Sequence, residues 1–297
     1  EHNLLEVRVR DDTDEGYHTH GKQRHKRGGM WYTPQSGIWQ TVWMESVPET
    51  YIKRLIITPK VDKQCVEIGA EIVGKTRPVA HFHGADYPLP ARIPAEDLAF
   101  WTPENPELYS FTVTCEEDTV LSYFAYRSFS VEKDEHGVPR LFLNGTPYFH
   151  NGLLDQGYWP DGLYTPPSDA AMVFDIQTAK DMGFNMLRKH MKIEPLRWYY
   201  HCDRIGMLVW QDMPSIADHH GRRSHRGRFF IRGNLLLKIV SADIIAHKGG
   251  FCKFLSATVT SLLPFYSAKS CRFFHFSAGS PRFGWMRKPF AMFVRLW

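Results

Sequence analysis

The chain has 297 residues, 43% of them hydrophobic and 14% aromatic, so it is long enough for about two domains and apolar enough to bury real cores. No run of about 20 apolar residues occurs, which argues against a membrane-spanning helix. The net charge of +4 hides an asymmetry: residues 1–215 hold 22 Lys and Arg against 30 Asp and Glu, whereas residues 216–297 hold 14 against two. Eleven of the 20 Phe fall in that last segment, and no glutamate follows Glu194. A reversal this sharp marks a boundary near residue 215.

The chain opens Glu1-His-Asn-Leu, with neither Met nor an apolar leader, and reads as a mature piece or a fragment. Asn3–Arg10 alternates apolar and charged residues, as a half-exposed strand does, and Gly37–Glu45 alternates again after a His-rich polar loop. Residues 1–47 are therefore expected to be a partial β-sandwich. Over 48–131, Tyr51–Thr58, Cys65–Val73, Ser110–Thr114 and Ser122–Val131 all read as strands. Their number and spacing suit a second, immunoglobulin-like sandwich.

The pattern changes near residue 140. Arg140–Phe149 reads as a hairpin with Asn144-Gly145 at a turn that needs positive φ; that turn explains the Asn144-Gly-Thr sequon better than glycosylation does. Ala170–Met182 has helical apolar spacing, with Ser168 as N-cap and Gly183 closing it. Phe184–Leu187 is a short buried strand, Pro195–Arg204 a helix with Trp198, Tyr199 and Cys202 on one side, and Met207–Trp210 a fully buried strand. Strands alternating with helices open a parallel α/β architecture. In such barrels chemistry gathers at the C-terminal strand ends, where Arg188, His190 and Asp212 fall.

Other clusters carry less. The five cysteines, at 65, 115, 202, 252 and 271, form neither a disulfide framework nor a zinc spacing. His18, His20 and His25, like His219, His220 and His225, lie in polar loops without accompanying acids and read as solvated. Taken alone, Arg188 and Asp212 read as a structural ion pair at a rim, and Trp210 as core.

Three segments together resemble glycoside hydrolase family 2, the β-galactosidase and β-glucuronidase family. They are Ser36-Gly37-Ile38-Trp39-Gln40, Asn185-Met-Leu-Arg188 followed by His190, and Asp203-Arg-Ile-Gly206 followed by four apolar residues. The order of domains over residues 1–215 is similar too. The signature departs from the family in having only Lys189 between Arg188 and His190, and Met191-Lys192 after it.

The resemblance implies a multidomain fold: residues 1–47 a partial jelly-roll sandwich, 48–131 an immunoglobulin-like sandwich, and 132–215 the start of a (β/α)8 TIM barrel. Residues 216–297 stand apart as an unrelated basic tail, read from a wrong frame or disordered. It implies a retaining, exo-acting glycosidase acting on carbohydrate, with Asp155, Arg188, His190 and Asp212 binding substrate and the Trp159 and Trp210 faces available to a sugar ring. The family's two catalytic glutamates would follow residue 212, where none occurs, so no catalytic residue is assigned and no turnover is expected. Two alternatives are a non-catalytic carbohydrate-binding remnant and a basic tail module for single-stranded nucleic acid. The tail lacks a recognisable binding fold, which argues against nucleic acid. No cofactor is assigned; the family often binds sodium or magnesium, but no residue here can be given to either. About three of eight barrel strands cannot close, so residues 132–215 are expected to be looser than the sandwich.

Overall fold

The computed structural model describes residues 6–15, 20–42, 45–212 and 214, together with the backbone of two strands further on. Seven strands follow residue 50: β1 (Tyr51–Lys60), β2 (Cys65–Val73), β3 (Val79–Phe82), β4 (Ala85–Pro88), β5 (Ala91–Pro94), β6 (Tyr109–Cys115) and β7 (Asp118–Phe124). They lie in two antiparallel sheets, ordered β1-β2-β5 and β7-β6-β3-β4, the second continued beyond β7 by two strands from later in the chain. Alternate side chains point inward, as the pleat requires. Ile52, Leu55, Val66, Ile68 and Ile93 of one sheet meet Phe82, Phe111, Val113, Val120 and Phe124 of the other. The Asp118 carboxylate accepts from the Ile52 amide at 2.8 Å, joining the sheets at the start of β1.

The sequence-predicted strand Ser122–Val131 is two strands in different sheets. β7 stops at Phe124, and β8 (Phe129–Lys133) begins a separate antiparallel sheet with β9 (Pro139–Leu143) and β10 (Thr146–Pro147). The break has a cause: Arg127 turns inward to a buried carboxylate, and the Ser128 amide donates to the Asn144 side chain at 2.8 Å. The β9–β10 turn places Asn144 at φ 53° and Gly145 at φ 77°, as the Asn-Gly pair anticipates.

A parallel unit follows: β11 (Gly152–Asp155), α1 (Asp169–Asp181), β12 (Met186–Lys189), α2 (Leu196–Ile205) and β13 (Leu208–Gln211), with strand order β11-β12-β13. The Ser168 hydroxyl caps α1 by accepting from the Ala171 amide at 3.1 Å. Gly206, at φ 85°, closes α2, a position only glycine fills without strain. The helices bury Met172, Ile176, Trp198, Tyr199 and Cys202 against Leu187 and Val209, and Tyr123 of β7 joins that cluster. The sandwich and the parallel unit thus share a core.

Residues 1–47 do not match the expected sandwich where they are described. Residues 6–10 and 37–42 form no strand, and only the isolated bridges Gln23–Tyr32 and Gly28–Trp31 appear. Alternation alone does not make a strand; it needs a ladder partner, and Val7 and Val9 remain about half exposed. The segment lies instead on the loop after β11. Tyr32 stacks on Tyr158 with centroids 4.0 Å apart, Trp39 meets Tyr164 edge-on at 4.5 Å, and Gln35 accepts from the Tyr164 amide. Of residues 216–297, the backbone of β14 (Asp243–Ala246) and β15 (Cys252–Leu255) is described, with β14 meeting β7 at Ala246 and Leu121. The remainder of the expected basic tail, including His219, His220 and His225, lies outside the described residues.

Candidate functional site at the strand ends

Parallel strands bring their C-terminal ends to one edge. Asp155, Lys189 and Gln211 are register partners across β11, β12 and β13. The ladder runs one residue further: the His190 amide donates to the Asp155 carbonyl at 2.8 Å and the Asp212 amide to the Lys189 carbonyl at 2.9 Å. Gln156, His190 and Asp212 therefore stand side by side. Since side chains alternate along a strand, Arg188, His190, Trp210 and Asp212 share one face while Asp155, Lys189 and Gln211 share the other.

On the first face three of the four sequence-predicted residues meet. Arg188 donates through Nε and Nη2 to Asp212 Oδ2, at 2.9 and 2.8 Å. His190 Nε2 lies 3.7 Å from the same oxygen, and its Nδ1 is 3.0 Å from the Gln156 side-chain oxygen. Arg188 is about half exposed, so the ion pair contributes at most about 1 kcal/mol to stability, and its guanidinium stays open to a ligand. Burial, aided by the charges of Lys22 and Arg188 and opposed by Asp212, holds the His190 pKa below its ordinary value. A neutral imidazole at neutral pH can both donate and accept. Trp210 is half-buried and donates from Nε1 to His150 Nδ1 at 2.8 Å, packed against the core as well as edging the site. Trp159 packs against the helix core.

Asp155 is not brought to this face. Its carboxylate takes the Lys189 ammonium at 2.6 Å and the Gly157 amide at 2.8 Å. Lys189 also reaches Glu194 at 2.9 Å, and Lys192 reaches that same carboxylate oxygen at 3.0 Å and the Gly157 carbonyl at 2.6 Å. These four groups form an alternating, charge-balanced chain beneath the strand ends, with Lys189, Lys192 and Glu194 almost wholly buried. Burial pulls the Lys189 pKa down, but Glu194 and Asp155 together outweigh it and hold the ammonium above its ordinary value. For Lys192, burial prevails over Glu194 and the pKa is lowered. Tyr199 and Gln211 complete the layer: the Tyr199 hydroxyl donates to the Gln211 side chain and accepts from the Glu194 amide. Sequence reasoning missed this layer. The available signal was alternation: a lysine between two site residues on a strand must point the other way, into the helices, and needs acids there.

Asn185, which opens the signature, works on the backbone. It accepts from the Asn151 amide at 2.8 Å and donates to the Phe149 carbonyl at 2.9 Å, fixing the start of β11 beside β12. Both aspartates at the strand ends face cations, which does not fit a sodium or magnesium ion. Among the described residues no three His, Cys, Asp or Glu come together as metal ligands. His18 lies outside the described residues. His20 is buried rather than solvated, and His25 is exposed, 3.8 Å from Asp14.

No family model matches the chain. It is 30% identical to a β-galactosidase of Vibrio vulnificus over 64% of its own length and 21% of that relative, and 24% identical to a β-galactosidase of Leuconostoc mesenteroides over 64% and 21%. Among solved structures it resembles a β-glucuronidase of Faecalibacterium prausnitzii, with a TM-score of 0.50 at 23% identity, over 56% of this chain and 28% of that one. The chain spans about a fifth to a quarter of the length of the curated relatives it matches.

Proposed function

From its kinship with glycoside hydrolase family 2, the β-galactosidase and β-glucuronidase group, we propose that this chain builds part of the sugar site of a retaining β-glycosidase. The observation that carries the reading is the meeting of Arg188, His190 and Asp212 on one face at the ends of β12 and β13. Chemistry in parallel α/β barrels gathers at that edge. In this reading residues 48–131 are the immunoglobulin-like sandwich and residues 132–215 the opening of a (β/α)8 barrel whose interior the Arg188 face becomes. Residues 1–47 are a partial sugar-binding domain, and residues 216–297 an unrelated tail.

Each residue then has a role its surroundings support. Arg188 offers its remaining donors to sugar hydroxyls while holding Asp212 in one orientation. Asp212 accepts hydroxyl protons through its free lone pairs. His190, neutral and steadied by Gln156, donates or accepts at a neighbouring hydroxyl. Asp155 positions the strand ends through Lys189 rather than touching sugar. Hydrolysis with retention needs two carboxyl groups about 5–5.5 Å apart. Asp212 alone on this face does not supply them, and the 297 residues alone are expected to bind without turning over.

The test is calorimetric titration of the chain with methyl β-D-galactoside, beside a chromogenic β-galactoside assay. Arg188→Ala should weaken binding about tenfold or more, the size of a lost charge-assisted hydrogen bond, while Arg204→Ala leaves it unchanged. Measurable turnover would overturn the non-catalytic part. The absence of any glutamate after Glu194 favours a second reading, a carbohydrate-binding remnant that uses the sandwiches. Binding untouched by Arg188→Ala would select it over the strand-end site.

A further inference from the structure

Side chains alternate along β12, with Arg188 and His190 on the open face and Lys189 beneath. Continued alternation would put Lys192 and Glu194 on the open face beside His190. They lie beneath instead, in the layer of Lys189. The reversal falls at Met191, whose φ is 61°. A side chain in the left-handed region costs free energy and persists only where the surroundings enforce it. Met191 adjoins His190, so whatever enforces its conformation also aims the imidazole.

The first segment holds this turn from outside. A Cβ on Gly21 would lie 2.5 Å from the Met191 carbonyl oxygen, so the two backbones abut. The Gln40 side-chain amide donates to the Ile193 carbonyl at 3.3 Å. Between these contacts the Lys192 ammonium lies 5.2 Å from the Trp39 ring and 4.8 Å from the Tyr164 ring. The segment also holds the other anchor of His190. Tyr32 stacks on Tyr158, two residues beyond Gln156, whose side-chain oxygen lies 3.0 Å from His190 Nδ1. Within the segment the Gln23 side chain accepts from the Gln35 amide at 2.8 Å, and the Gln35 side chain accepts from the Tyr164 amide at 2.7 Å. The part that meets Met191 is thereby tied to the part that meets Tyr164.

We propose that residues 20–42 clamp the turn after β12, and that Gly21, acting through Met191, is a positioning residue for His190. This rests on the reading of the strand ends as a sugar site only for what His190 binds. With the clamp seated, Met191 stays left-handed, Lys192 and Glu194 stay in the buried layer, and His190 keeps its place beside Gln156 and Asp212. With the clamp displaced, Met191 relaxes to a right-handed or extended backbone and His190 turns away with it. The affinity of the open face is then governed by how the first segment is docked.

Gly29 supplies the control. Like Gly21 it is left-handed, at φ 57° against 59°, but a Cβ there meets nothing within 4 Å. The full chain is followed by the ring resonances of His190, assigned by their loss in His190→Gln, and by calorimetric titration with methyl β-D-galactoside. Gly21→Ala should shift the resonances and weaken binding about tenfold, and Gly29→Ala should do neither. Adding Met191→Gly, a residue that adopts φ 61° freely, should restore most of both. Trp39→Leu, which releases the other side of the clamp, should shift the same resonances. Circular dichroism melts report folding; if Gly21→Ala does not fold, Trp39→Leu with and without Met191→Gly carries the same comparison. Equal shifts in Gly21→Ala and Gly29→Ala overturn the clamp, as does an effect that Met191→Gly leaves unchanged. Resonances that respond as expected in a chain that binds no galactoside leave the clamp standing and remove the sugar reading.

Discussion

Replacing Arg127 with methionine tests the joint between the sandwich and the parallel unit. Arg127 follows β7, and its Nη2 lies 2.6 Å from Asp203 Oδ1 on α2, with both side chains at most 5% exposed. The Tyr123 hydroxyl donates to the other Asp203 oxygen at 3.0 Å, and Trp101 donates to the Asp203 carbonyl at 2.8 Å while its ring lies under the guanidinium. Methionine keeps much of the stem and volume but leaves Asp203 charged, buried and held by one neutral hydroxyl. Breaking one side of such a pair costs about 3–5 kcal/mol, and for a protein of this size that is a fall in melting temperature of about 6–20 °C. Asp203 already has a pKa above its ordinary value, because burial outweighs Arg127 and Tyr123. Without Arg127 it rises further, so the folded state binds the proton more tightly than the unfolded chain does. Stability of the variant relative to wild type should therefore recover as pH falls from the raised folded value toward the unfolded 3.8. Arg127 Nη1 is buried without a hydrogen bond, so the pair is imperfectly compensated even in the native state. The double variant Arg127→Met, Asp203→Leu, with no stranded charge, should regain most of the loss. Urea midpoints at pH 7 and pH 5 for wild type, single and double variants decide it. A single-variant loss under about 1 kcal/mol, or one that grows toward pH 5, refutes the reasoning.

The buried layer and the signature asparagine give two further expectations. Lys189→Met strands Glu194 and Asp155 beneath the strand ends and should cost about 3 kcal/mol, the lower end of the range because Lys192 still holds Glu194; a urea midpoint within error of wild type would contradict it. Asn185→Ala frees the Asn151 amide and the Phe149 carbonyl and should cost about 2 kcal/mol, with faster amide hydrogen exchange confined to residues 149–153, whereas unchanged exchange at Asn151 would show that the side chain does not fix the start of β11.

How far the sequence could be read depended on whether the deciding partners were local. Cys65–Val73 coincides with β2 because its alternation is long and paired with a near neighbour, β1, across a turn of few residues. Ser168 caps the start of α1, and its C-cap is Met182, one residue before Gly183, which follows at φ 86°, all through interactions within one turn. Strands β3, β4 and β5 were not singled out: each has four residues, and Pro88 and Pro94 end two of them. Their identity comes from what they pair with. Ser122–Val131 misled for the same reason, since the interruption at Arg127 is set by Asp203, 76 residues away. The alternation over residues 6–10 and 37–42, which form no strand, misled most, because an alternating pattern describes a half-buried surface and not the neighbour that buries it.

At the strand ends the same distinction separates what was legible from what was not. Arg188, His190 and Asp212 stand where apolar runs end, and a parallel sheet carries all such ends to one edge, so their meeting follows from architecture once the strands are recognised. Which face each side chain takes follows only from register. Asp155 sits opposite Lys189, and one residue's shift would have put it beside His190. The consequence is that the acids near this edge divide by parity: Asp212 faces the open side with Arg188, while Asp155 and Glu194 neutralise Lys189 and Lys192 within. The inner layer, balanced and buried, holds the ends of β11 and β12 in place; the outer one, with Arg188 half exposed, is left free to meet a ligand.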